Sequence, residues 1–194
     1  MPSPTRPHRW LAGHALAGGL GTLLTTAAGA GVGRLAGEAP APGAMVLAMI
    51  LVGGLEGALY GAVQGQLLGR GTQLVARTAL AFGLAWAAGA LFSALEPDGA
   101  LPRSALLATA AVAGAGFGAL VGTVQARAFA AAGPWTLHSI AGWAAAFVVG
   151  AVSSDLLPLG LIGARGLAQS AFGGALGGVV LGAVLLPARS RARS

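Results

Sequence analysis

Glu56, Tyr60 and Gln64 stand at four-residue steps inside a long apolar stretch, Ala44 to Leu68. On a helix that spacing puts all three on one stripe. Glu56 lies about 12 residues, or ~18 Å, from either end of the stretch. A carboxylate at such depth in lipid costs several kcal/mol if ionised, so it faces the bundle, lines a wet cavity or keeps its proton. One chemistry on offer is a proton- or ion-responsive site, in which Glu56 titrates, Tyr60 donates, and Gln64 and Gln125 coordinate. The plainer reading is a protonated glutamic acid hydrogen-bonded to a neighbouring helix as structural glue.

Gln64 and Gln125 recur near the ends of two such stretches, where amides commonly bond between helices. His14 and His138 sit near the ends of two others. Haem ligation by this pair is disfavoured, because small-residue packing leaves little room for a macrocycle. No P-loop, His-Glu-x-x-His, Gly-x-Ser-x-Gly or paired carboxylates occur, so no catalytic residue and no metal ligand set is assigned. There is no cysteine. Disulfides and thiolate sites are therefore excluded, and no cofactor is implied.

These residues sit in a chain that is 56% hydrophobic and 8% charged. A soluble domain carries about 25% charged residues, so this chain cannot cover a wetted surface. Its apolar residues fall into six blocks of the ~20 residues that a bilayer demands. They run roughly Trp10–Val32, Ala44–Leu68, Leu74–Leu95, Ser104–Phe129, Trp135–Ser153 and Leu161–Leu186. Polar or Gly/Pro breaks separate them, including Glu96-Pro97-Asp98-Gly99 and Ala132-Gly133-Pro134. Long unbroken apolar runs fit helices and not barrel strands. The expected fold is all-α: a six-transmembrane-helix bundle over 10–187, with short basic tails at 1–9 and 188–194. Trp10, Trp135 and Trp143 read as interface-belt or packing residues, Trp86 as core, and Arg77 and Arg127 as snorkelling residues.

All eleven basic residues are Arg, and the net charge is +6. Scattered between apolar spans, they are topology signals and not a nucleic-acid surface. With the N-terminus inside, Arg6, Arg9, Arg70, Arg77, Arg127, Arg189, Arg191 and Arg193 share the cytoplasmic side. Arg34, Arg103 and Arg165 face the other side, with Glu38, Glu96, Asp98 and Asp155. The expectation is a bacterial inner-membrane protein with both termini cytoplasmic and no cleavable signal.

Glycine rows punctuate the even-numbered spans: Gly53, Gly57, Gly61 and Gly65; Gly114, Gly118 and Gly122; Gly174, Gly178 and Gly182. Small residues at every fourth position let membrane helices approach closely. The even spans are expected to meet near the bundle axis on these faces. Three segments align, starting at Gly57, Gly118 and Gly174, with Val-Gln matched in the first two. The unit implied is a helical hairpin used three times, about 10–69, 74–130 and 135–187. On this alignment Leu181 takes the glutamine place, and Phe117 and Gly173 take that of Glu56.

The run Gly122-Thr123-Val124-Gln125-Ala126-Arg127, then Gly133-Pro134-Trp135 and Gly142-Trp143, resembles repeats in uncharacterised bacterial multi-pass membrane proteins. The first copy has Gly61-Ala62-Val63-Gln64 and Arg70 but lacks the tryptophans. The resemblance implies the fold and no activity. Two functions follow from the residues themselves. One is a small transporter or channel for a solute or ion, built on the intramembrane acid. The other is a non-catalytic scaffold whose glycine faces bind further helices in a homo- or hetero-oligomer. The bilayer is the partner common to both.

Overall fold

The computed structural model describes residues 6–36, 42–93, 102–129, 132–156 and 164–189. They form six helices: α1 (Pro7–Ala36), α2 (Pro42–Leu68), α3 (Gly71–Ser93), α4 (Arg103–Ala126), α5 (Ala132–Leu156) and α6 (Ala164–Leu185). Helices satisfy their own backbone polar groups, which apolar surroundings cannot do for them. α1 starts at Pro7, where a fixed φ and a missing N–H suit the first helical position. It thus takes in residues expected in the N-terminal tail. At the other end Ala188 is buried in the core and not part of a tail.

The α2–α3 connection is a tight glycine turn. Gly69 has φ +71°, and the Arg70 N–H bonds Gly65 O at 2.9 Å, which is a Schellman closure. Gly71, at φ +57°, then opens α3. Two side chains with a Cβ would be strained in these places.

Five helices, α2 to α6, are long and apolar enough to cross a membrane. The chain is accordingly a multi-pass membrane protein. α1 has the length, but Gly, Thr and His14 dilute its leucines. Large apolar side chains point outward from all six helices, for example Leu16, Leu51, Leu80, Val112, Leu137 and Phe172.

Contacts follow a closed ring from α1 to α6, and α6 closes back onto α1. The closest pairs are α2 with α3, α4 with α5, and α6 with α1. This corrects the expectation that even-numbered helices meet on the axis. Each glycine row instead lies against the backbone of the next odd helix. A Cβ on Gly57 would sit 2.5 Å from Thr78 O, and one on Gly114 2.5 Å from Trp143 O. Gly118 abuts Ser139 O, Gly178 abuts His14 O, and Gly174 abuts Gly18 O. Gly53, Gly61, Gly65, Gly122 and Gly182 extend the same rows against Phe82, Leu74, Gly71, Ser139 and His14.

The third row makes contacts like those of the other two. Gly57, Gly118 and Gly178 face the carbonyls of Thr78, Ser139 and His14 in turn. A row with glycine at every fourth position aligns almost equally well after a four-residue slip, so only the neighbours reveal the register.

Leucine at Gly57 or Gly118 is expected to push the helix pair apart. Overpacking against backbone costs about 1–3 kcal/mol or more, read as a lower unfolding temperature in mild detergent. Gly116, with nothing within 4 Å of a new Cβ, is expected to accept leucine without loss.

Candidate functional site

The interior of the ring is filled by side chains in three layers. The layer nearest the chain termini is polar. His14 Nδ1 lies 2.9 Å from Trp10 O. A carbonyl only accepts, so Nδ1 carries the ring proton and Nε2 is the acceptor. Gln64 Nε2 donates to that nitrogen at 3.1 Å. Gln64 Oε1 accepts from Gln125 Nε2 at 2.7 Å, and the same amide donates to Thr78 Oγ1 at 2.9 Å. Trp135 Nε1 donates to Gln125 Oε1 at 3.0 Å. Thr78 passes its own proton to Leu74 O at 2.7 Å. The bonds run in one consistent direction, and their chain ties α1, α2, α3, α4 and α5 together.

Leu185 of α6 is buried and has no acceptor to offer. Trp10 Nε1 bonds Gly182 O instead, at 2.8 Å, and so brings α6 into the network. Trp10 is fully buried, which corrects its reading as an interface anchor. Trp135 is likewise interior. His138 stays apart, with Nδ1 2.6 Å from Pro134 O. Arg127 is exposed. Arg77 is half-buried and its Nη1 has no hydrogen-bond partner in the protein.

The middle layer is aromatic. Tyr60, Phe82, Phe117 and Trp143 pack with centroids 4.6 to 5.3 Å apart, mostly edge to face. Tyr60 belongs here by its ring; its hydroxyl lies against Gly18. The expected single stripe of Glu56, Tyr60 and Gln64 is thus divided. Glu56 and Gln64 are two helical turns, about 12 Å, apart along α2, and the aromatic layer separates them. Gln64 and Gln125 do meet, as expected, but in the structural network and not beside the acid.

The third layer is a cavity of about 340 Å³ toward the opposite end. Glu56, only 6% exposed, is part of its wall. Trp86 Nε1 donates to Glu56 Oε2 at 2.8 Å, and Thr25 Oγ1 lies 3.2 Å from the same oxygen. Thr25 also reaches Gly21 O at 3.0 Å, so its single proton serves one acceptor at a time. Gly21 makes room for the acid: a Cβ there would fall 2.6 Å from Glu56 Cγ. Trp86, Trp143, Phe117 and Phe147 form the aromatic wall. Gly173, Gly174 and Gly177 of α6 form the opposing wall. Trp86 and Thr25 are the partners that sequence reasoning missed, since each lies on a helix other than α2. Among the described residues no cluster of His, Asp or Glu could hold a metal ion.

Fold and site together define a class: an all-helical, multi-pass membrane protein with a closed polar layer and an acid-bearing cavity on either side of an aromatic one. No protein-family model matches the chain, and comparison with curated proteins and with solved structures finds no match.

Gln125→Leu is expected to leave the Trp135 N–H unsatisfied in the core. The loss is about 1–3 kcal/mol, measured by unfolding in detergent. A double-mutant cycle with Gln64→Leu is expected to give a coupling of about 0.6 kcal/mol, the average for bonds between membrane helices. Strictly additive losses would show that the two amides do not support one another.

Proposed function

We propose that this protein is a small transporter or channel-like protein that takes its solute into the cavity beside Glu56. The observation that supports it is the cavity itself. A space of about 340 Å³ falls within the range of small-molecule sites, and it is walled by an intramembrane acid. Trp86 and Thr25 tie the acid to neighbouring helices, as glue would require, but the open space beside it is more than that role needs. In this reading the role is binding and passage, with no enzymatic step.

The reading includes α1 as a sixth span. Leu16, Leu20 and Leu24 lie exposed along one face of it, and α6 packs closely on the other. It also includes three related units, supported by the like contacts of Gly57, Gly118 and Gly178. The arginine asymmetry supports a bacterial inner-membrane location with cytoplasmic termini. Of the charges assigned to the far side, Arg103 alone has a described side chain, and it is exposed. The resemblance to uncharacterised repeat-bearing membrane proteins agrees with this architecture and assigns no solute. A scaffold role is less well supported, because the glycine rows are already occupied within the ring. A partner would have to dock on the outer leucine faces.

Single cysteines placed at Ser3 and Ser190 are expected to react with an impermeant maleimide only after the membrane is opened. Labelling in intact cells would reverse the orientation. In proteoliposomes, solute flux or solute-driven proton flux is expected to vanish in Glu56→Gln. It is also expected to fall sharply in Gly150→Phe, which fills the cavity at a position where a Cβ meets nothing within 4 Å. Unchanged flux in both variants would remove the cavity from the path.

A further inference from the structure

We infer that the cavity is a site for an organic cation: an ammonium group carried on an apolar body. This deepens the solute-binding reading and rests on it. The chain has four Trp, one Tyr and six Phe, and five of these line one cavity: Tyr60, Trp86, Phe117, Trp143 and Phe147. Glu56 is the single charged side chain in the same wall, and no basic side chain lines it. An aromatic cage beside a carboxylate is the arrangement that recognises substituted ammonium ions. Ring faces attract the positive charge, and do so more strongly in a desolvated site. The carboxylate then supplies a counter-charge within the low-dielectric interior.

The geometry favours this occupant over the alternatives. The Trp86 indole is hydrogen-bonded to Glu56 at 2.8 Å, so acid and ring are held side by side. Phe117, Trp143 and Phe147 continue the wall with centroids 4.6 to 6.2 Å apart. Opposite them, the glycines of α6 leave room for a body, and Gln169 and Ser170 of the same helix also line the space. A bare sodium or calcium ion needs a close shell of oxygens; Thr22, Ser153, Gln169 and Ser170 line the cavity with Glu56, but most of its wall is apolar. An anion would meet a carboxylate with no basic group to offset it.

The test uses benzyltrimethylammonium as probe and benzenesulfonate as its anionic counterpart, on the intact protein in mild detergent. Binding is followed by calorimetry and by the emission of the two wall tryptophans. Benzyltrimethylammonium is expected to bind and benzenesulfonate not to bind. Glu56→Gln keeps an acceptor for Trp86 and removes the charge; it is expected to weaken cation binding at least about tenfold. Phe147→Leu keeps an apolar wall without a ring face and is expected to weaken it several-fold, which provides a second variant should the first fail to fold. Equal binding of both probes, no cation binding by the folded protein, or full affinity in both variants would overturn the cation site. Cation binding without flux in proteoliposomes would leave this site standing and remove the transport reading. Flux of a neutral solute without cation binding would do the reverse.

Discussion

Close backbone contact between helices is the constraint on which this structure depends. Lipid tails are as apolar as leucine, so withdrawal from water does not hold one membrane helix to another. Van der Waals contact does, and it falls away steeply with distance. The glycine rows allow α2, α4 and α6 to lie directly against the carbonyls of α3, α5 and α1. Because each row is used up against a sequence neighbour, or against α1 in the case of α6, the helices form a ring and not a bundle about one glycine seam. The ring's interior is then left for large side chains, and the leucines go outward.

What fills the interior is graded along the ring axis. At the end nearest the termini, two Trp, two Gln, one His and one Thr share a directed set of hydrogen bonds that uses both indole N–H groups and both amide hydrogens of Gln125. Each bond is modest, but an unmatched donor would be costly in so dry a place. Specificity is the larger effect: the network ties the rotational settings of the six helices that it joins to one another. The aromatic layer above it has no such directional demand and works by area and ring geometry. Beyond it the small residues of α6 fail to fill the space, and a cavity remains beside Glu56.

The acid and the glutamines were legible in the sequence as polar groups that had to turn inward. Their grouping was not. Glu56, Tyr60 and Gln64 share one helix face, yet they serve three layers, because the partners that separate them come from other helices. Trp86 looked like plain core, and its bond to Glu56 depends on how far α3 slides along α2. Trp10 looked like a belt residue from its place at the start of an apolar run. It is interior because α6 and α1 close the ring, a contact between the two ends of the chain that no local pattern records.

Composition and periodicity alone determined that the chain is helical, that it suits a membrane, and that Glu56 must be sheltered; they offered six spans, of which five helices have the length and apolarity to cross. Those properties depend on backbone satisfaction and on the cost of burying charge, and both can be read residue by residue. Only the tertiary structure decided which helix each glycine row meets, and where empty space is left. These depend on contacts between distant segments, and a four-residue glycine spacing is nearly blind to a slip of one turn.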